Sequence, residues 1–328
     1  MEEIKVSIVC AAYNHGEYIR SALQGFVSQK TNFAYEILIH DDASTDNTAD
    51  IIREFEEKYP NIVKPIYQTE NQYSKGVPIS VKYQFSRVKG KYVAICEGDD
   101  YWVDEHKLQK QVDYMDQHPD CTFCFTNGYI EDLARNGEKR DFVPFNSEDA
   151  AVYKDESRIY TLDDMHEMTF VPTASYLMPT KILNNIIPTL AEKCPTADLR
   201  WRLYATAYGY SYYIKDKTCV YRQNVPGSAM SRWKSFTRAQ EYVHNEKIIR
   251  MITRMDELFD CKYSGAVEKL SYRYIRSLLF CSKSFKVLKN HRYKRVFKSL
   301  SFAQKTKCII KILLPDFVIK LIVKRNRG

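Results

Sequence analysis

Apolar and polar positions alternate between two periods over the first 130 residues. IKVSIVCAA (4–12) is almost continuously apolar and predicts a buried strand, and HGEYIRSALQGFVSQ then sets Ile19, Leu23, Phe26 and Val27 at helical spacing. YEILIHDD (35–42) predicts a second strand that closes on two acids, and STDNT brings helix-start chemistry to ADIIREFEEKYP, a helix stopped near Pro60. IVKPIYQ predicts a short third strand, and VPISVKYQFSRVKG a helix closing at Gly90. KYVAICEGDD (91–100) again ends a strand in acids, followed by an amphipathic helix in DEHKLQKQVDYMDQHP and a strand in CTFCFTNGYI. This alternation predicts an α/β fold, a mostly parallel sheet with helices on both faces. Ligands of such sheets bind beyond the carboxyl ends of the strands.

The pattern then loosens. Residues 131–160 are polar and charged, as expected of a loop or insertion, and TFVPTASYLMP (169–179) resumes a strand. TADLRWRLYATAYG (196–209) predicts a helix opening on Thr196 and Asp198, and YSYYIKDKTCVYRQ another strand. From about Phe236 the pattern is helical to the end. The expected divisions are therefore 1–130, 131–235 and 236–328.

Charge adds a second feature. The net charge is +8, yet Ser282 to Gly328 holds 14 Lys and Arg against the single acid Asp316, so the rest of the chain is mildly acidic. In the tail, Cys308, Ile309, Ile312, Leu313 and later Phe317, Ile319 and Leu321 are expected to form an apolar face kinked at Pro315. A basic amphipathic segment of this kind suits an anionic membrane surface. No recognition motif or zinc spacing accompanies it, so nucleic acid is not an expected partner. The longest apolar run, 308–323, is broken by Lys311, Pro315, Asp316 and Lys320, too interrupted for a spanning helix. The nine Cys are scattered in apolar runs, which predicts buried free thiols and a reducing, cytoplasmic setting.

The chemistry concentrates in two acidic strand ends, Asp41–Asp42 and Asp99–Asp100. Clustered carboxylates repel one another unless a cation joins them. Magnesium and manganese use one or two carboxylates and complete their shells with substrate phosphates. The competing expectation is a pair of solvated turns whose acids cap helices, and Ser44, Thr45 and Asp46 are expected to do just that for the second helix. Trp102, just after the second acidic pair, is expected either to line the ligand pocket or to sit in the core. His15, His106 and His166 lack any ligand spacing.

IKVSIVCAAYNHGEYI, YEILIHDDASTDNT and GKYVAICEGDDYWVDEHKLQKQ, in that order and spacing, resemble the family-2 glycosyltransferases of the GT-A fold, and among them enzymes of bacterial cell-surface glycans. The resemblance implies that 1–130 binds a nucleotide sugar, that 131–235 holds the acceptor, and that 236–328 is a helical extension. It places Ala11, Tyr13 and Asn14 in the loop that touches base and ribose, with Tyr13 stacking on the base and Ala11 lacking the family's usual hydroxyl or proline. It makes Asp42 the acceptor of the base N–H, Asp100 the metal ligand, and Asp99 a contact of ribose or donor sugar. It makes Asp198 the catalytic base. Where the family has His two residues after Arg222, this chain has Asn224, so Arg222 or Arg232 is expected to reach the diphosphate.

The implied reaction is inverting transfer from a nucleotide-diphosphate sugar, most simply a UDP-sugar, to a hydroxyl of a glycan or lipid-linked acceptor, with manganese or magnesium bound. Ala229 stands where processive members carry Gln of Gln-x-x-Arg-Trp, which implies single addition. A sugar-phosphate nucleotidyltransferase would open with a Gly-rich phosphate loop, and AAYNHGEY has one Gly. A non-catalytic sugar-nucleotide or polysaccharide-binding protein is the remaining alternative, and the intact acids argue against it.

Overall fold

β1 (Ile4–Ala12) occupies the middle of the parallel half of the sheet, between β2 (Ala34–Asp41) and β4 (Tyr92–Ile95). Val6, Ile8, Val9 and Cys10 are all buried, which explains the unbroken apolar run: such a strand is covered on both faces. This is a computed structural model that describes residues 3–143, 156–165, 168–191 and 196–314.

The chain divides into two compact units, Met1–Glu192 with Ala197–Pro226, and Lys193–Thr196 with Gly227–Gly328. In the first, β3 (Val63–Tyr67) lies parallel to β2 at one edge. β4 is followed by β5 (Tyr101–Trp102), β6 (Cys121–Asp132), β7 (Glu138–Asp141), β8 (Arg158–Tyr160), β9 (Leu177–Pro179) and β10 (Tyr210–Gln223). The sheet order is β3-β2-β1-β4-β9-β6-β10-β5, with β7 added to β6 and β8 to β10. β9 runs antiparallel to β4 and β6, while the long β6–β10 pair is parallel. Helices α1 (Ile19–Val27), α2 (Thr48–Lys58), α3 (Lys107–Gln117), α4 (Leu162–Met165), α5 (Thr180–Ile186) and α6 (Ala197–Ala207) complete this unit.

Three expectations change in detail. Between β3 and β4 the expected helical stretch forms, but as a π-helix (Ser80–Gln84) followed by a 3-10 helix (Phe85–Arg87). Gln84 is drawn wholly inside, where its amide donates to the carbonyls of Cys10 and Leu38 at 2.6 and 3.2 Å. The stretch 169–179 is a strand only at Leu177–Pro179, because Thr173–Ser175 coils into a turn just after Pro172. Parts of 131–160 are strand after all, as β7 and β8 find partners in β6 and β10. The described cysteines are free thiols, buried except Cys261; burial pushes Cys121 and Cys219 up to about 12.

The second unit holds α7 (Ala229–Lys234), α8 (Arg238–Leu258), α9 (Ser264–Cys281), α10 (His291–Ser299) and α11 (Phe302–Leu313). Reciprocal capping boxes start α8 at Thr237/Gln240 and α11 at Ser301/Gln304. Ile249, Ile275, Leu278, Leu279, Val287, Val296 and Cys308 share one core. Cys308 and Ile312 therefore turn inward, and only Leu313 of the expected tail face stands exposed; Phe317, Ile319 and Leu321 lie outside the described residues. No described helix is long and apolar enough to cross a membrane.

β6 and β10 approach so closely at Gly128 that a Cβ there would sit 2.4 Å from the Cys219 carbonyl oxygen. Backbone cannot yield to it as a flexible side chain would. Gly128→Ala is expected to destabilise the first unit by about 1–3 kcal/mol, the usual cost of overpacking, read as a lowered thermal midpoint.

Candidate active site

Two acidic turns hang on the carboxyl end of β1. On one side, Asp42 N–H donates to the Ala12 carbonyl at 3.0 Å. On the other, Cys96 and Gly98 N–H donate to the carbonyls of Val9 and Ala11 at 3.1 and 3.0 Å. The turns after β2 and β4 thus flank the loop after β1, as expected of a common rim. A Cβ on Gly98 would meet His15 Nδ1 at 2.8 Å and Ile19 Cδ1 at 2.9 Å, so the acidic turn lies close against the side chains of the first loop and α1.

The first loop is stapled to the turn beyond β2. Asn14 adopts the left-handed region at φ 54°, its N–H donates to Ser44 Oγ at 2.9 Å, and its side-chain carbonyl accepts from Thr45 N–H at 2.8 Å. His15 N–H donates to Thr48 Oγ1, and Gly16 N–H to Asp46. Ser44 and Thr45 thus do not cap α2 as expected, and only Asp46 accepts an N–H of its first turn, from Thr48; together the three fix the shape of the loop that carries Ala11, Tyr13 and Asn14. Tyr13 is left with 43% of its surface exposed on this rim.

Asp42 is buried, and its two carboxylate oxygens accept the backbone N–H groups of Gln72 and Tyr73 at 2.9 Å each. It organises the 71–73 segment that follows β3. Asp41 turns to Ser44, accepting its hydroxyl at 2.5 Å.

Asp100 is the most constrained acid. It is buried; Oδ1 accepts the Arg222 backbone N–H at 2.8 Å, and Oδ2 has no hydrogen-bond partner among the described residues. Desolvation, then the neighbouring Asp99 and Glu97, hold its pKa well above the ordinary carboxylate range, against the lowering influence of Arg222. Arg222, on β10, ties the same turn to β6 and α1 with its guanidinium. Nε donates to Glu131 at 2.9 Å, Nη1 to the Asp99 carbonyl at 2.8 Å and Nη2 to Ser21 Oγ at 3.0 Å, while the plane lies 4.3 Å from the Tyr101 ring centroid. Arg222 is a clasp on the turn, and one hydrogen on each terminal nitrogen is not used by these bonds.

Asp198 sits in the first turn of α6. Burial raises its pKa, and Arg202 one turn along the helix lowers it in part. Glu97 faces the rim with water still reaching it, yet its pKa is raised by desolvation, then by Asp99 and Asp198. Burial and then the negative charge of Asp100, Glu97, Asp99 and Asp198 raise the pKa of the half-buried Tyr221. Sequence reasoning missed Glu97, although its place at the strand end, two residues before the pair, was a usable signal. Arg232 lies on α7 in the second unit. Trp102 is core: its ring meets Phe26 edge-on at 4.7 Å, its Nε1 donates to the Ala174 carbonyl at 2.7 Å, and buried Lys107 lies over it at 4.3 Å. His166 lies outside the described residues.

The donor set fits a hard cation. An orphaned buried carboxylate oxygen among crowded acids is the environment a divalent ion relieves. No three His, Cys, Asp or Glu among the described residues form a ready-made cage, so a cation at Asp100 would draw further ligands from a substrate.

The profile of glycosyl transferase family 2 matches residues 7–181, which include most of β1, both acidic turns and β9. The chain belongs to glycosyltransferase family 2. An uncharacterized Mycobacterium tuberculosis protein is 47% identical over 135 residues, 40% of this chain and 38% of that one. The UDP-Glc:alpha-D-GlcNAc-diphosphoundecaprenol beta-1,3-glucosyltransferase WfaP of Escherichia coli is 36% identical over 126 residues, 38% of this chain and 47% of that one. The matches thus span less than half the length of these relatives. The crystal structure of S. aureus TarS 1–349 in complex with UDP-GlcNAc superposes with a TM-score of 0.61 at 17% identity, covering 94% of this chain and 79% of that chain. That likeness establishes the GT-A fold, with a helical C-terminal region after it.

Because folding raises the carboxyl pKa values of Asp100, Glu97 and Asp198, the fold favours their protonated forms. The stability they contribute is present at acid pH and is lost as pH rises through the raised values. Asp100→Asn is expected to melt at a higher temperature than wild type at neutral pH without metal. Adding manganese with UDP should raise the wild-type midpoint and leave that of Asp100→Asn nearly unmoved, measured by thermal shift.

Proposed function

We propose that this chain transfers a sugar, with inversion, from a nucleotide-diphosphate donor, most simply a UDP-sugar, to a hydroxyl of a glycan or lipid-linked acceptor in cell-surface polysaccharide synthesis. The observation that carries the reading is the orphaned Asp100 oxygen on a rim shared with Asp42 and the Tyr13 loop. Tyr13 stacks on the base, Asn14 and Ala11 shape the ribose side, and Asp42 offers its remaining lone pairs to the base N–H while it holds 71–73. Asp99 takes the ribose or donor sugar. Asp100, with phosphate oxygens, would hold magnesium or manganese, which as a Lewis acid supplies charge neutralisation to the departing diphosphate. The spare N–H groups of Arg222 are available to the same charge.

The acceptor oxygen forms a bond to the anomeric carbon as the bond from that carbon to the diphosphate oxygen breaks. Asp198 takes the acceptor proton, and the nucleoside diphosphate leaves with the bonding electrons. A carboxylate raised above its ordinary range suits a base working near neutral pH. Ala229 in place of the processive family's glutamine supports single addition. The undecaprenol-linked acceptor in the name of the Escherichia coli relative supports an acceptor of that class, and with it peripheral work on the cytoplasmic face of the membrane.

Two measurements test this. Incubation with a panel of nucleotide sugars, with and without manganese, is expected to give slow donor hydrolysis for one base and sugar, dependent on metal; hydrolysis of none of them contradicts the assignment. Once a donor and acceptor pair is known, Asp198→Asn is expected to lower turnover by about 10²–10⁴. Wild-type activity should fall as pH drops through the raised Asp198 value, a limb that the variant lacks.

A further inference from the structure

The second unit carries a surface that the sugar chemistry does not use. Ten Lys and Arg and no Asp or Glu stand between Ser282 and Leu314. α11 is fixed on its inner side: Cys308 is fully buried, its Sγ lies 3.3 Å from the Leu279 carbonyl, and Arg238 donates to the Lys311 carbonyl at 2.6 Å. The opposite side therefore has a set direction. It presents Phe302, Thr306, Ile310 and Leu313, successive positions of one helical stripe, with Phe302 86% and Leu313 66% exposed. Lys298 at the end of α10 and Lys307 on α11 are exposed on the same acid-free segment.

An apolar stripe within a purely cationic segment selects its partner. A second copy of this face would bring like charge against like. A polyanion without an apolar phase would leave Phe302 and Leu313 in water. We infer that α11 docks on an anionic lipid bilayer, with Phe302, Ile310 and Leu313 entering the acyl boundary and the lysines meeting the headgroups. This deepens the membrane part of the proposed function by naming the face, and it stands on the second unit alone.

The test is cosedimentation of the full chain with vesicles of equal parts phosphatidylglycerol and phosphatidylcholine, or of phosphatidylcholine alone, at low and high salt. The wild type should pellet with the anionic vesicles, less so at high salt, and remain in the supernatant with the neutral ones. Phe302→Ser/Leu313→Ser should weaken anionic binding by about tenfold or more, and Lys298→Glu/Lys307→Glu by a similar factor. All four positions are exposed, so circular dichroism melts should match wild type, and donor hydrolysis should be unchanged in both variants. That readout separates failure here from failure of the catalytic assignment. The inference is overturned if the wild type stays in the supernatant, if the serine variant pellets like wild type, or if the wild type dimerises without lipid and the serine variant does not.

Discussion

Negative charge confined at the end of β4 is the constraint around which the first unit is arranged. Glu97, Asp99 and Asp100 follow one another within four residues, and the negative charge of Asp198 on α6 also raises the pKa of Glu97. Left to themselves these groups would repel and open the turn. Arg222 counters this with its backbone N–H to Asp100 and its guanidinium to the Asp99 carbonyl and Glu131, stacked on Tyr101. The compensation is incomplete, since Asp100 keeps an oxygen with no partner among the described residues. In the proposed function, this shortfall of positive charge is what a cation and a diphosphate would fill.

The same arrangement explains the architecture beneath it. Trp102 follows the turn directly and is locked between Phe26, Lys107 and the Ala174 carbonyl, so the acidic turn rests on a rigid ring. Gly25 lets α1 approach that ring's backbone, where a Cβ would lie 2.7 Å from the Trp102 oxygen. Asn14, Ser44, Thr45, Asp46 and Thr48 tie the first two loops together, which leaves Tyr13 exposed on a fixed base. Rigid elements thus position a few exposed groups, the usual division between scaffold and site.

In the second unit, charge and apolar surface are combined differently. A small core takes one side of α11, and the capping box at Ser301 fixes where the helix begins. The remaining stripe is apolar where an ordinary solvated helix would be polar. Lysines around it supply solubility in water and attraction to an anionic surface.

The alternation of strands and helices, the acids at two strand ends and the basic tail were legible in the chain itself, because each is a local pattern of residue type and spacing. Tertiary structure alone decided which groups meet. Arg222 and Asp100 stand 122 positions apart, and no local pattern distinguishes a clasp on the acidic turn from a phosphate ligand. Trp102 had two equal readings until its indole found a carbonyl 72 residues away. The helical stretch before β4 takes π and 3-10 form, with the Gln84 amide donating to two buried strand carbonyls 74 and 46 residues away. Period and composition fix the elements, whereas burial and long-range hydrogen bonds assign each polar side chain its partner, and those exist only once the chain is folded.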